Sequence, residues 1–450
     1  TRSSEGATVK IGLETHIPID TKTKLFSDEA RGMLSAYAQG EPGTRPVLQA
    51  KAIRYALKLA VTLDMDVAST LAFDRKQYFY PDLPKGYQIT QHRQPIAENG
   101  VFTTPHGDTD IKEIHVEEDP SRLKHTGEGT RVDDTRSGEP LIELVTTPSL
   151  TSINAATTFL DELATHCAYL GIFDDTKGFK TDVNISIEAT QHTRVEVKNV
   201  TGRDNVKDAL RYEAWRQESA VETGHAVRRE TRHYDDEKNM TTPSRTKETY
   251  QDYAYIPEPD ILSLPTGHLL EEVKEDLPKP RQDIIDELVS EDVSKQEATK
   301  IASHKEKRRF YGALRDDLEA ELAQTVITEH LPHVLRARGK QWEDIDIKRL
   351  RSTVSVIDAR DLPETTVKDV LWNTLFDDIE PATWLDEQKR QEPVQATVSR
   401  LIDENPGRVR AFKEGDEAVV NAFIGDLRDA HPGEDVSTLI EQVRQGLDEA

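Results

Sequence analysis

An α+β fold is the class this sequence predicts, and three patterns carry the prediction. Runs at 9–19, 110–118, 180–186 and 194–199 place apolar side chains at alternating positions, the period of a half-buried strand. Between and after them, 50–63, 150–170 and 204–222 carry apolar stripes at helical spacing. Beyond Leu277-Pro278-Lys279-Pro280, a stiff linker, strand signals stop. Helical patterns then run over 281–289, 294–303, 305–326 and 347–356, and three short helices are expected within 394–450. The organisation predicted is a mixed-sheet domain over 1–275, a helical domain over 276–390 and a small helical tail domain over 391–450.

In the first strand, Gly12-Leu13-Glu14-Thr15-His16 puts Glu14 and His16 on one face, because side chains repeat every second residue. A carboxylate beside an imidazole can bind a divalent metal or act as an acid–base pair, although a half-exposed polar face is the plainer reading. In 50–63 the stripe is Ala52, Ile53, Ala56, Leu57, Leu59 and Ala60. The run from Phe73 to Gln88 then packs five aromatics, three basic side chains, two carboxylates, two prolines and a glycine together. Its prolines exclude a continuous helix, so 75–80 reads as a strand and 81–86 as a shaped turn. Aromatic rings beside Arg75 and Lys76 suit an anionic or phosphorylated ligand, with a core strand as the plainer alternative.

Asn99-Gly100 signals a tight turn. The next strand ends in Glu117-Glu118-Asp119, adjacent carboxylates that repel one another and would welcome a metal ion or basic ligand, or else form an exposed acidic turn. A polar loop with Arg136 leads into an apolar strand that holds Glu143. The 150–170 helix is capped by Thr151 or Ser152 and stopped by Gly171, and Cys167 lies on its apolar stripe as a core residue. In 180–186, Asp182, Asn184 and Ser186 share one face, and three oxygen-bearing side chains there can orient a magnesium ion or a nucleotide, or simply face solvent.

With 450 residues there is length for two or three cores. Apolar residues make up 36% and charged residues 31%, and the net charge of −25 is spread over the whole chain. Phosphate binding needs positive charge. A halophilic host reconciles the two, since molar salt shortens the Debye length to about 3 Å and screens repulsion; the rival reading is a protein that binds no nucleic acid. A single cysteine excludes an intrachain disulfide and fits a reducing cytoplasm. No run of about 20 apolar residues exists, so no membrane span is expected, and the first residues carry no signal-peptide pattern.

Several of these runs, in order, resemble signatures of the amidotransferase B-subunit family with its archaeal E-subunit relatives. The aromatic run from Phe73 to Gln88, the opening Gly12-Leu13-Glu14-Thr15-His16, His115 to Asp119 and Asp133 to Glu143 each match. So do Glu196-Val197-Lys198-Asn199, Arg245-Thr246-Lys247-Glu248 and Asp252 to Asp260. Departures are Thr135 for Asn, Lys180 and Ala254 for Arg, Val200-Thr201-Gly202 in place of Asn-Ser-Phe, no cysteine pairs after the first strand, and Asp416 and Asp429 where the family favours Lys. The resemblance implies a cradle-like first domain and a tail domain that contacts tRNA. It implies an ATP-dependent ligase that phosphorylates, then amidates, the side-chain carboxylate of misacylated Glu-tRNA(Gln) or Asp-tRNA(Asn). Mg²⁺ would be held by Glu14, His16, Glu117, Glu118 and Glu143. Lys76, Arg75 and Glu118 would serve catalysis, Lys76 and Arg75 holding phosphate or lining an ammonia path. Asp182, Asn184, Lys180 and Arg136 would bind ATP. Ammonia would come from a glutaminase A subunit, with a small C subunit, since no nucleophile centre is visible here. A divergent paralogue amidating a non-tRNA carboxylate and a non-catalytic tRNA-binding scaffold are the alternatives.

Overall fold

In the computed structural model, the strand Val9–Pro18 runs through the middle of a nine-stranded sheet. The model describes residues 8–450 except 127–128, 174–177, 245–252, 316–317, 319, 361, 378, 390–393 and 432–435. On one side of the central strand lie, in order, Lys180–Ile187, Val195–Thr201, Glu230–Asp235 and Met240–Pro243. On the other lie Pro140–Thr146, Gly107–Glu118, Ala97–Thr104 and Asp66–Val67. Every pairing is antiparallel except that of Val195–Thr201 with Glu230–Asp235, so the sheet is mixed, and the chain has the α+β architecture its patterns predict.

Alternation decides the two faces. Ile11, Leu13, Thr15 and Ile17 are fully buried, while Glu14, His16 and Pro18 between them keep partial exposure. The helices Ala50–Thr62, Ile153–Tyr169 and Arg203–Glu222 cover the apolar face. The first buries the stripe read from sequence. The second is capped by the Ser152 hydroxyl, which accepts from the Ala155 N–H at 3.0 Å, and Gly171 at φ +70 ends it. The opposite face stays polar, and a three-stranded sheet of Ala254–Pro257, Asp74–Gln77 and Tyr87–Thr90 stands beside it.

Two local expectations are corrected. Asn99-Gly100 makes no turn; it lies inside the strand Ala97–Thr104, with Asn99 at φ 57. The chain reverses between Thr104 and Gly107 instead. Gly100 is small because a Cβ there would strike Met65 and the Leu63 carbonyl. The strand expected over 75–80 ends at Gln77, where its partner begins at Tyr87, and Tyr78 to Gly86 form the connecting loop.

The chain divides into two compact units, Thr1–Lys279 and Pro280–Ala450. The second is helical throughout its described residues. The helix expected over 305–326 is divided into Lys305–Arg315 and Ala320–Thr325, followed by a π turn at Val326–His330 and the helix Leu331–Arg338. Among the described residues of 394–450 there are four helices rather than three. Gly415, at φ +98, separates Pro406–Lys413 from Ala418–Ala430, a backbone that side chains rarely adopt. Val398, Phe423, Leu427, Leu439, Val443 and Leu447 close that core. Among the described residues no helix is long and apolar enough to cross a membrane.

Candidate active site

The polar face of the sheet carries rows of facing side chains. Strand register sets Lys180, His16, Glu143 and His115 opposite one another across four strands. One row over, Asp182 faces Glu14. In the row on the other side, Pro18 faces Leu141 and Leu141 faces Glu117. Directly opposed residues share a face, so the ladder itself gathers groups from distant parts of the chain. Above them lies a cavity of about 1040 Å³, to which Lys76 and Tyr78 of the smaller sheet and its loop contribute a wall.

Ligand atoms of Glu14, His16 and Glu143 all lie within 4.8 Å of one another, one from each residue. His16 Nε2 is 3.4 Å from both Glu117 Oε1 and Glu143 Oε2. Burial pushes the Glu14 carboxyl up, and the neighbouring Glu143 and Asp182 push it further, to about 8. Burial alone would lower the His16 imidazole, but the hydrogen bonds and charge of Glu117 and Glu143 hold it well above its ordinary value. Glu143 resists its burial through His16 and is held down to about 2. Clustered carboxylates that share protons in this way mark a place where a cation is wanted. Two carboxylates and one imidazole offer few ligands, so a bound Mg²⁺ would keep positions for substrate oxygens or water. The donor set fits such an ion, and the His16 Nδ1 is buried with no partner among the described residues.

Other predicted residues divide between this cavity and the far side of the strands. Lys76, Arg136, Lys180 and Asp182 line the cavity. Lys76 Nζ lies 4.8 Å from the Tyr253 ring centroid, and Arg136 donates to Asp119. Asn184, opposite Gly12, lies beyond the lining, and its Oδ1 is buried with no partner among the described residues. Glu118 and Arg75 lie outside this cavity. Alternation turns Glu118 away from Glu117, and its carboxylate accepts from Lys85 Nζ at 2.6 Å and from the Ile89 N–H at 2.8 Å. Arg75 likewise turns away from Lys76, making a forked pair with Glu258 at 2.6 and 2.9 Å. Neither joins the Glu14, His16 and Glu143 group. Tyr78, Lys198 and His115 fall inside the matched runs, but the sequence singles none of them out as a site residue. His115 shares period two with Glu117, and Lys198 with Glu196; what has no signal in the sequence is the register break that aims Lys198. Arg245, Lys247, Glu248 and Asp252 lie outside the described residues. Cys167 is fully buried, and burial pushes its thiol up, which suits a core residue.

Family models match this chain twice: a GatB/GatE catalytic domain over residues 9–270 and a GatB domain over residues 309–443. Among similar curated proteins, three are each named as the B subunit of aspartyl/glutamyl-tRNA(Asn/Gln) amidotransferase. That of Natronomonas pharaonis is 33% identical, covering 100% of this chain and 99% of its own. That of Coprothermobacter proteolyticus is 33% identical over 96% and 98%. That of Methanoregula boonei is 32% identical over 98% and 99%.

Proposed function

This chain belongs to the amidotransferase B-subunit family, and from that premise we propose that it amidates the side-chain carboxylate of misacylated Glu-tRNA(Gln) or Asp-tRNA(Asn) in an ATP-dependent carbon–nitrogen ligase. The observation that carries the chemistry is the convergence of Glu14, His16 and Glu143 under a cavity walled by lysines. The γ-phosphoryl group of ATP passes to the substrate carboxylate with release of ADP. Ammonia then attacks the activated carbonyl, phosphate leaves, and a proton is lost as the amide forms. Glu14, His16 and Glu143 would hold a Mg²⁺ ion, which would supply charge neutralisation at phosphoryl oxygens.

The chain's own residues do the rest. Glu117 and Glu143 hold the His16 imidazole between them and fix its ring. Lys76 and Lys180 reach the cavity from two different sheets and offer positive charge to oxygens that gain charge in the transition state. Arg136, tied to Asp119, shapes that wall more than it binds. Family membership points to a glutaminase A subunit as the ammonia source, joined by a small C subunit, and Cys167, buried in the core, offers no thiol nucleophile of its own.

Co-purification at high salt, then an amidation assay with both misacylated tRNAs, tests this reading. ATP-dependent formation of Gln-tRNA(Gln) or Asn-tRNA(Asn) is expected. ATP-driven amidation of another carboxylate without tRNA retention would establish the paralogue instead. Retention of tRNA without ATP hydrolysis would establish the scaffold.

A further inference from the structure

The strand Val195–Thr201 loses register against Lys180–Ile187 at one point. Thr181 faces Val200, yet Val183 faces Val197, so Lys198 and Asn199 together oppose the single residue Asp182. Two residues against one is a β-bulge, a device that re-aims a side chain at the cost of one ladder pairing. Asn199 takes the left-handed backbone this needs, at φ 59, a conformation asparagine tolerates better than most residues. Both bulged residues then grip one carboxylate. The Asn199 N–H donates to Asp182 Oδ1 at 2.7 Å, and Lys198 Nζ donates to Oδ2 at 3.3 Å.

The two ends of this clamp differ in exposure. The Asp182 side chain is 6% exposed, and that of Lys198 is 40% exposed and lines the cavity. An ammonium has three donors, so Lys198 keeps capacity for a further ligand after meeting Asp182 and approaching Glu196 Oε1 at 3.9 Å. Asp182 faces Glu14 in the ladder, and the row of His16 and Glu143 lies two residues along, about 7 Å away. A fixed cation thus stands in the cavity beside the three-donor group. Each Asp182 oxygen already accepts from one of the two bulged residues.

We propose that Lys198 binds a phosphate of the nucleotide in this cavity and that Asp182 is its positioning residue. The proposal rests on the phosphoryl-transfer reading above. It reassigns Asp182 from nucleotide contact to support, and it gives the bulge a purpose that a regular strand could not serve.

Equilibrium titration with ATP and with ADP in the presence of chelator reads nucleotide affinity apart from the metal and apart from turnover. In the full complex, Lys198→Met is expected to weaken both nucleotides about 10–100-fold, the scale of a charge-assisted contact. The KM for ATP should rise while that for misacylated tRNA stays put. Lys198→Arg should recover part of the loss, and Asp182→Asn should weaken affinity by less than Lys198→Met. A folded Lys198→Met protein that binds nucleotide like wild type overturns the proposal. Should that variant fail to fold, acetylation of Lys198 in the wild-type complex decides. Saturating ADP must slow it about 10-fold, and unchanged labelling overturns the proposal. Wild-type protein that binds no nucleotide overturns this inference and the parent reading together; selective indifference of Lys198→Met overturns this one alone.

Discussion

Two charged regions of the first unit are built from the same residue types and behave oppositely. In the cavity, Glu14, His16, Glu117 and Glu143 crowd together, and Lys76 and Lys180 stand on the wall without a carboxylate of their own among the described ion pairs. On the far side of the strands, the charges of Arg75, Lys85, Glu118 and Glu258 pair with one another. Glu118 meets Lys85 at 2.6 Å, Lys85 Nζ lies 4.2 Å from the Tyr37 ring centroid, Arg75 lies 4.4 Å from that of Tyr87, and Glu258 takes the Arg75 fork. The second network is sealed: Lys85 and Glu118 side chains are 3% and 2% exposed. Chemistry needs groups whose demands a substrate can meet, and only the cavity leaves such demands open. A satisfied buried network holds shape instead.

The largest expected effect falls on the cavity. Glu143→Gln removes one of three donors and one support of His16. ATP-dependent amidation should drop about 10²–10³-fold, with thermal unfolding nearly unchanged. Initial rates with misacylated tRNA, beside Mn²⁺ binding followed by electron paramagnetic resonance, check it. Full activity with intact cation binding would break the comparison at its centre.

Glu118→Gln probes the sealed network and should act on stability. It leaves the Lys85 ammonium buried without its counter-charge, a loss of about 3–5 kcal/mol in urea unfolding. Lys85→Met with Glu118→Leu should restore much of it, since an apolar pair needs no compensation. Amidation driven by added ammonium, measured below the unfolding range, should survive in the double variant. Its collapse would move Glu118 from scaffold to chemistry. Arg75→Lys sharpens the same contrast more gently. Lysine cannot fork onto Glu258, and the exchange should cost about 1–2 kcal/mol of stability, with the KM for ATP unmoved.

What the sequence made legible is instructive at the level of single residues. Glu14 and His16 share a face by period two alone, and the strand, the helix after it and its buried stripe follow from spacing. The same rule separates Glu117 from Glu118 and Lys76 from Arg75. Motifs taken as blocks concealed it, because adjacency in a motif says nothing about which side of a pleat a residue takes. That Glu143 would stand opposite His16 was not legible locally, since pairing of distant strands is a property of the whole sheet. Nor was the bulge at Lys198 and Asn199, where one inserted residue changes the aim of a side chain without changing apolar alternation around it.

The smallest predicted effect lies where the cavity row ends. The His115 Nδ1–H donates to the Gln91 carbonyl at 2.7 Å, and its Nε2 lies 3.5 Å from Glu113 Oε1. Its hydrogen bond to His115 holds the Glu113 carboxyl down to about 2. Burial alone would lower His115, but Glu113 and then Glu143 raise it to about 9. A histidine raised on folding stabilises fully below its unfolded value of about 6.5, and that stability is lost as pH climbs through about 9. A carboxyl depressed on folding stabilises above its unfolded value of about 4.5, and loses that only as pH falls toward 2. The pair therefore contributes most between about pH 4.5 and 6.5. Urea unfolding of wild type and Glu113→Gln at pH 6 and pH 9.5 isolates it from other titrating groups. The gap between the two proteins should shrink by on the order of 1–3 kcal/mol at the higher pH. A gap that stays constant would mean His115 is neutral in the fold, and that the row opposite Glu143 ends without a positive charge.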